Sequence, residues 1–99
     1  MKDVVIVSAC RTPIGAFGGT LKDMNAAALA AVTMKEAVNR AGIDPALIDD
    51  VRYGCCMEPS DALNITRVAA LLAGIPDTVT AATINRVCIS GMEAVISGM

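Results

Sequence analysis

The sequence contains no histidine and no tryptophan, and its aromatic residues amount to one tyrosine and one phenylalanine. Because histidine is absent and the four cysteines include no Cys-x-x-Cys pair, we do not expect a metal site of the zinc type. Because aromatic rings are so few, the hydrophobic core has to be built from alanine, valine, isoleucine, leucine and methionine.

Charge is also scarce, since charged residues make up 18% of the chain and the net charge is −2. This balance offers no basic surface for nucleic acid or anionic membranes, and a hydrophobic content of 55% argues against disorder. The apolar run near the first residue spans about six residues, which is too short for a membrane helix or the core of a signal peptide. We therefore expect a cytoplasmic protein with no membrane or nucleic-acid partner.

The alternation of apolar patterns predicts an α/β fold. Residues 4–9 form a continuous β-branched run, which is typical of a strand buried on both faces of a sheet. The other predicted elements are strands at 51–57 and 79–84 and helices at 25–41, from Asn64 and from Cys88 onward. This β-α-β-α-β-α order indicates a mostly parallel sheet covered by helices. Because the third helix reaches the last residue without a stop signal, we expect 1–99 to be a partial domain.

Capping residues support the predicted helices. Asp23 or Asn25 can cap the first helix, and Gly42 is suited to end it. Asp44 followed by proline is typical of the start of a short helical turn. On the second helix, the periodicity predicts an inner side formed by Ile65, Val68, Ala69 and Leu72.

A glycine-rich loop at 11–20 follows the first predicted strand. Its glycines, Gly15, Gly18 and Gly19, fit neither the dinucleotide-binding spacing nor the phosphate-loop spacing. No helix is predicted directly after the loop, as phosphate binding at a helix N-terminus would require. We therefore interpret the loop as structural or as a contact between subunits.

Cys88, in the stretch INRVCISGMEAV at 84–95, is the candidate reactive residue. It lies at a predicted strand-to-helix junction, where unpaired backbone N–H groups and the helix dipole favour a thiolate. Arg86 adds a nearby positive charge, and Ser90 with Gly91 indicates a tight turn of little bulk. A nucleophile and a buried, space-filling cysteine are both compatible with this pattern.

The remaining polar candidates favour structural interpretations. Glu93 could be a general base, but a first-turn acid that is solvated or ion-paired is the favoured interpretation. Asn64 and Arg67 are interpreted in the same way, as structural hydrogen-bonding residues. The other cysteines, Cys10, Cys55 and Cys56, are expected to be small core residues.

Taken together, these residues resemble the thiolase family. VVIVSACRTPIGAFGGTLKD near the start and TINRVCISGMEAV near the end are similar to two N-terminal signatures of that family. NITRVAALLAGIP, between them, resembles the family's middle helix, with Asn64, Arg67 and Ala69 in matching places. Ile89 is a local departure, because many family members have glycine or alanine directly after the matching cysteine.

The resemblance implies the N-terminal part of one thiolase-like half, with Cys88 as the acyl-accepting nucleophile. It implies acyl transfer between coenzyme A thioesters through an S-acyl-cysteine, as in an acetyl-CoA C-acetyltransferase. Acetyl-CoA and acetoacetyl-CoA would be substrates, no separate cofactor would be needed, and the full-length protein would be a homodimer or homotetramer. A 3-ketoacyl-CoA thiolase of longer chain length and a non-catalytic thiolase-like subunit are the alternatives. The family's activating histidine and second acid/base cysteine would lie outside this chain.

Our interpretation of the loop at 11–20 predicts that it binds no nucleotide. ATP and NAD should therefore show no saturable binding by calorimetry to the complete protein, because the glycine spacing cannot wrap a phosphate. Saturable binding that disappears when Gly18 and Gly19 are both replaced by alanine would contradict this prediction.

Overall fold

The computed structural model describes residues 2–99, which form two strands, three α-helices and two short 3₁₀ turns. Helix α1 spans Ala26–Ala41, strand β1 spans Asp50–Gly54, and helix α2 spans Ile65–Leu72. Strand β2 spans Thr80–Ile84 and helix α3 spans Ser90–Gly98, with 3₁₀ turns at Pro45–Leu47 and Val87–Ile89. No helix within 2–99 combines the length and the apolar character needed to cross a membrane.

The two strands pair in parallel, so the predicted α/β class with a parallel sheet is confirmed. Their register places Asp50 opposite Thr80 and Gly54 opposite Ile84. At the first pair, the Thr80 hydroxyl donates a 2.7 Å hydrogen bond to the Asp50 carboxylate. This hydrogen bond lowers the pKa of Asp50, and the nearby Arg52 guanidinium adds a smaller effect in the same direction. Both interactions favour the charged carboxylate.

The predicted capping residues act as expected. The Asn25 side chain accepts a 2.8 Å hydrogen bond from the Ala28 N–H, so Asn25 is the N-cap of α1. Gly42 ends α1 in the left-handed conformation, at a φ of 67°, which glycine adopts without steric cost. Asp44 caps the 3₁₀ turn that begins at Pro45, as the sequence predicts.

Helices α1 and α2 cover one face of the sheet with small side chains. Val51 and Tyr53 of β1 pack against this layer, and the fully buried Thr66 lies within it. The main cluster contains the buried residues Ala30, Ala31, Met34, Ala69, Ala70, Ile75 and Val79. Because alanine dominates this cluster, the two helices can approach each other closely. The buried members of this cluster are alanine, methionine, isoleucine and valine, as the composition predicts, and Tyr53 packs at its edge.

Polar side chains fix α2 to the sheet. Asn64 caps α2 and also donates from Nδ2 to the Ala81 carbonyl, at 3.1 Å. The Arg67 guanidinium donates to the Val79 carbonyl at 2.8 Å, and the Thr83 hydroxyl accepts from the Thr66 N–H at 3.1 Å. The structural interpretation of Asn64 and Arg67 is therefore confirmed.

The predicted inner side of α2 is correct for Ile65 and Ala69 and wrong for Val68 and Leu72. Ile65 and Ala69 are buried, whereas Val68 and Leu72 are exposed. The buried side includes Thr66 instead, because its hydroxyl lies within 3.5 Å of the Tyr53 carbonyl and its N–H bonds to β2. The polar contacts thus rotate α2 away from the orientation that hydropathy alone predicts.

The strand predicted at 4–9 is wrong, since the segment forms no strand and Ile6 is 82% exposed. The physical reason is that a strand needs a hydrogen-bonded neighbour, and open space separates this segment from β1. One groove of about 700 Å³ lies between Val4–Ile6 and Asp49–Arg52, and a second of about 690 Å³ lies between residues 8–12 and Arg52–Gly54. The end of the segment is attached to α1, where the Cys10 thiol donates to the Thr33 carbonyl at 3.2 Å.

The other predicted strands are present but shorter than expected. The strand predicted at 51–57 spans Asp50–Gly54, and the strand predicted at 79–84 spans Thr80–Ile84. After Gly54 and Ile84 the strands end, and the chain continues in both places as a loop. Because the strands are parallel, both loops lie at the same end of the sheet. The sheet therefore has two strands within 2–99, where three were predicted.

Helix α3 lies on the opposite face of the sheet from α1 and α2, and Gly54 permits its close approach. A Cβ atom added at Gly54 would lie 2.5 Å from the carbonyl carbon of Ser90 and 2.6 Å from the Gly91 nitrogen. Both contacts are with backbone, which cannot yield as a flexible side chain can. Glycine at position 54 is therefore required for the start of α3 to rest on the end of β1.

The first prediction from the fold concerns the isolated 99-residue chain. Its accessible surface is 7119 Å², against about 5,300 Å² expected for a folded monomer of this mass. Much of the excess is apolar, so the isolated chain should self-associate and bind the dye ANS. Ile6→Lys should reduce the association, because a charge on an unpaired extended segment opposes intermolecular pairing. A monomer in size-exclusion chromatography with a cooperative thermal transition and no dye binding would contradict this expectation.

The second prediction concerns Gly54. In the complete protein, Gly54→Ala should lower the free energy of unfolding by about 1–3 kcal/mol, because the methyl group overlaps the backbone of α3. Gly91→Ala is the matched control, since a Cβ added there meets nothing within 4 Å. Urea denaturation measures both changes. Equal stability of the two variants would mean that the approach of α3 to β1 is not tight.

Candidate functional site

The candidate site lies where both parallel strands end. The Cys55 N–H donates a 3.0 Å hydrogen bond to the Ile84 carbonyl, which extends the pairing by one residue beyond Gly54. The chain then turns through Val87–Ile89 into α3. In open α/β sheets, ligands bind in the crevice outside the carboxyl ends of the strands. The structure therefore places Cys88 at the end of the sheet where such sites are found.

The turn that carries Cys88 contains an unusual backbone conformation. Val87 has a φ of 51°, and it is the one non-glycine residue with positive φ within 2–99. A β-branched residue in this conformation is a steric outlier, and such strain typically costs about 1–3 kcal/mol. Surrounding contacts have to hold the backbone in this conformation. The strain lies directly before Cys88, as is typical of functional sites.

Asn85 provides the first of these contacts. Its Oδ1 accepts a 3.0 Å hydrogen bond from the Val87 N–H, which closes an Asx turn over two residues. Its Nδ2 donates to the Cys56 carbonyl at 3.2 Å, so the same side chain connects the turn with the loop after β1. Asn85 thus links the ends of both strands.

Ser90 provides the second contact. Its hydroxyl donates a 2.6 Å hydrogen bond to the Val87 carbonyl and accepts a 2.8 Å bond from the Arg86 N–H. Ser90 is 4% exposed, because its backbone lies against Gly54. The tight turn predicted from Ser90 and Gly91 is present, and the Ser90 side chain closes it.

The four cysteines occupy different environments, and Cys88 is exposed. Cys10 and Cys55 are half-buried, in accord with the predicted core role, and Cys55 packs against the small cluster of Ala27, Ala62 and Ile65. The core role predicted for Cys56 is wrong, because Cys56 is exposed. The reason is that β1 ends at Gly54, so Cys56 belongs to the loop at the open end of the sheet. Within 2–99, the exposure of Cys88 favours a reactive side chain over the space-filling alternative.

Arg86 and Glu93 form an ion pair along α3. The distance from the Arg86 NH1 to the Glu93 Oε2 is 2.8 Å, and the Glu93 side chain is 28% exposed. The interpretation of Glu93 as a paired first-turn acid is therefore confirmed. Because the Arg86 guanidinium is engaged by this carboxylate, it is not a free positive charge directed at Cys88.

The described residues supply a thiol and hydrogen-bonding groups, and they hold no metal-binding cluster. Within 2–99, no three histidine, cysteine, aspartate or glutamate side chains are close enough to bind a metal ion. The Cys10 thiol is engaged with the Thr33 carbonyl of α1. The site as described offers an exposed thiol, and the sequence contains no histidine to accept its proton.

Three functional features of the turn were missed by sequence reasoning. They are the left-handed Val87, the Asn85 side-chain bond and the contact at Gly54. Asn85 carried a usable signal, because an asparagine two residues before a turn position is typical of an Asx turn. Gly54 carried no signal in the sequence, because the residues that it contacts, Ser90 and Gly91, lie far along the chain.

The glycine loop connects the extended segment with α1. Gly15 and Gly18 have φ values of 73° and 70°, and residues 17–23 form turns before α1 begins. Arg11 and Thr12, at its start, line the second groove described above, together with Gly54 and Gly91. As predicted, no helix begins directly after the glycines, which agrees with a structural role.

Comparisons with known proteins give a consistent result. The family model described as thiolase, N-terminal domain, matches residues 4–99. An acetyl-CoA acetyltransferase of Syntrophomonas wolfei is 52% identical over 94 residues, covering 95% of this chain and 24% of that protein. A beta-ketoadipyl-CoA thiolase of Pseudomonas aeruginosa is 46% identical over 96 residues, with the same shares of each chain.

A solved structure agrees with the fold. The crystal structure of the Bacillus anthracis acetyl-CoA acetyltransferase superposes with a TM-score of 0.91 at 49% sequence identity. The superposition covers 95% of this chain and 24% of that one, so the chain spans about a quarter of the length of its relatives. By the family match over nearly all of its residues, this chain belongs to the thiolase family.

Proposed function

We propose that this chain provides the acyl-accepting nucleophile, Cys88, of an acetyl-CoA C-acetyltransferase. The observation that carries the proposal is the position of Cys88: exposed, on a strained turn, at the carboxyl end of a parallel sheet. Relatives named acetyl-CoA acetyltransferase, at 52% and 47% identity, support the choice of substrate class.

The proposed reaction has two stages. In the first, the Cys88 thiolate attacks the carbonyl carbon of an acyl-coenzyme A, and the carbon–sulfur bond to coenzyme A breaks. The departing coenzyme A thiolate takes up a proton, and the acyl group remains on Cys88 as a thioester. In the second, the acyl carbon is attacked either by the carbanion of an acetyl-coenzyme A, formed when a base removes its α proton, or by the thiolate of coenzyme A. In both cases the bond between the acyl carbon and the Cys88 sulfur breaks, Cys88 leaves as a thiolate, and the product is a 3-ketoacyl-coenzyme A or an acyl-coenzyme A.

The site needs groups that this chain does not contain. The thiolate is the attacking form of a cysteine, so the reaction needs a base that accepts the Cys88 proton. No histidine is present in the sequence, and Glu93 is engaged with Arg86. We propose that the rest of a full-length thiolase subunit supplies this base and a second acid/base group.

The open space beside β1 supports the same arrangement. The two grooves lie between the extended segment and β1, with parts of α1 and α3 forming further walls of the second groove. The extended segment exposes β-branched side chains, and Val5 is 72% exposed. We propose that the rest of the subunit covers these surfaces, so that the active enzyme is the complete chain.

Two alternatives to this function remain: a thiolase that prefers a longer acyl group, and a subunit that has no catalytic activity. A beta-ketoadipyl-CoA thiolase is 46% identical, close to the values of the acetyltransferases, so identity does not decide chain length. Ile89, next to Cys88 and half exposed, is the residue of this chain placed to influence the acyl group. A non-catalytic thiolase-like subunit remains the alternative of a different class.

The test is to trap the acyl group in the full-length protein. After incubation with acetyl-CoA and an acid quench, mass spectrometry of peptides should find one acetyl group, on Cys88. Cys88→Ser should reduce turnover by a factor of about 10⁴ or more, because loss of a nucleophile removes most of the rate. Cys56→Ser is the matched control at the other exposed cysteine, and it should retain both turnover and the adduct.

Two outcomes would contradict the proposed function. One is an acetyl group on a residue other than Cys88, and the other is full turnover by Cys88→Ser. Iodoacetamide provides a second measurement, because Cys88 should be the cysteine that it alkylates fastest and prior incubation with acetyl-CoA should protect it. A comparison of acetoacetyl-CoA with longer 3-ketoacyl substrates separates the two enzyme alternatives.

A further inference from the structure

We propose that Ser90 is a positioning residue for Cys88, acting through the strained backbone of Val87. The proposal rests on the proposed function insofar as it concerns turnover. The structural part of the proposal rests on the geometry of the turn alone. It states that the Ser90 hydroxyl holds Val87 in the left-handed conformation and thereby orients the Cys88 thiol.

The argument begins with the two peptide planes that flank Val87. The backbone angles of Val87 set the orientation of its N–H relative to its carbonyl. Both groups are held by side chains, the N–H by Asn85 Oδ1 at 3.0 Å and the carbonyl by Ser90 Oγ at 2.6 Å. With both planes held, the left-handed conformation persists despite the β-branched side chain.

Ser90 itself is held in place from two sides. Its hydroxyl accepts a 2.8 Å bond from the Arg86 N–H, so it bridges both ends of the turn. Its backbone lies against Gly54, so closely that a Cβ atom on residue 54 would have no space. Because Ser90 cannot move closer to β1, the sheet limits the positions that Ser90 can take at the start of α3.

The consequence reaches Cys88 through one peptide plane. The Val87 carbonyl and the Cys88 N–H belong to the same planar unit, so the Ser90 bond fixes the direction from which the Cys88 side chain projects. If the hydroxyl is removed, Val87 can relax toward a negative φ, and the thiol moves. A displacement of about 1 Å at a reacting group can cost a factor of about 100 in rate.

Glycine at position 87 would remove the need for this restraint, and this provides the test. Glycine adopts a positive φ as readily as a negative one. Ser90→Ala should therefore be harmful while Val87 is present and much less harmful in the Val87→Gly background. A merely structural role for Ser90 would give the same loss in both backgrounds.

The experiment is a double-mutant cycle in the full-length protein. Wild type, Ser90→Ala, Val87→Gly and the double variant are compared by the rate of Cys88 alkylation with iodoacetamide and by turnover. Ser90→Ala should slow alkylation and lower kcat by about 10- to 100-fold with KM changed less than about twofold. In the Val87→Gly background, the same substitution should change both by less than about threefold.

Ser97→Ala is the matched control. Ser97 is also a serine of α3 whose hydroxyl donates to a backbone carbonyl three residues earlier, that of Ala94 at 3.1 Å. It lies almost two helical turns from Ser90, so its loss should leave alkylation and turnover unchanged. Equal losses from Ser90→Ala in the two backgrounds, or a loss no greater than that of Ser97→Ala, would overturn the proposal.

A second pair of variants tests the proposal if Ser90→Ala does not fold. They are Asn85→Ala, which removes the acceptor of the Val87 N–H, in the Val87 background and in the Val87→Gly background. Asn85→Ala should slow alkylation of Cys88 while Val87 is present and change it by less than about threefold in the Val87→Gly background; equal losses in the two backgrounds would overturn the proposal. If Cys88→Ser retains turnover, the proposed function fails, and alkylation alone then decides the role of Ser90.

Discussion

The contact between the end of β1 and the start of α3 is the constraint on which the rest of the site depends. At Gly54 the two backbones are so close that a single methyl group would overlap the Ser90 carbonyl. Helix α3 therefore begins directly on the sheet, and the turn after β2 has to be short. The cysteine of that turn is consequently placed at the carboxyl end of both strands.

This constraint explains why the turn is strained. The chain leaves β2 at Ile84 and has to enter α3 at Ser90, whose position is already set by the sheet. A left-handed residue at Val87 reverses the chain direction within this distance, and side-chain hydrogen bonds at both ends hold it. The polar groups of the turn thus satisfy one another locally, while the thiol of Cys88 remains exposed.

The two faces of the sheet are completed to different degrees. Helices α1 and α2 meet through alanine side chains and bury most of the core within 2–99. On the other face, α3 buries Ser90 and Ala94 but leaves Met92, Val95 and Ile96 exposed. The chain spans 24% of the length of the acetyl-CoA acetyltransferase of Syntrophomonas wolfei. The exposed thiol lies on the turn that leads into the less covered helix.

Local chemistry determined the parts that the sequence predicted correctly. Asn25, Gly42 and Asn64 act on backbone groups within a few residues, so the ends of α1 and the start of α2 could be read from residue types alone. The α/β class followed from the alternation of patterns, and the position of Cys88 at a strand-to-helix junction followed from the change in periodicity.

Contacts between distant segments determined the rest. Residues 4–9 have the composition of a buried strand, but strand formation needs a neighbour to accept the backbone hydrogen bonds, and β1 lies across an open groove. Gly54 matters because α3 arrives there, and Val87 can be left-handed because Ser90 is held against that glycine. Sequence by itself therefore determined the local elements and the candidate thiol, whereas tertiary structure decided where the turn that carries this thiol lies, because the start of α3 rests on Gly54, more than thirty residues earlier in the chain.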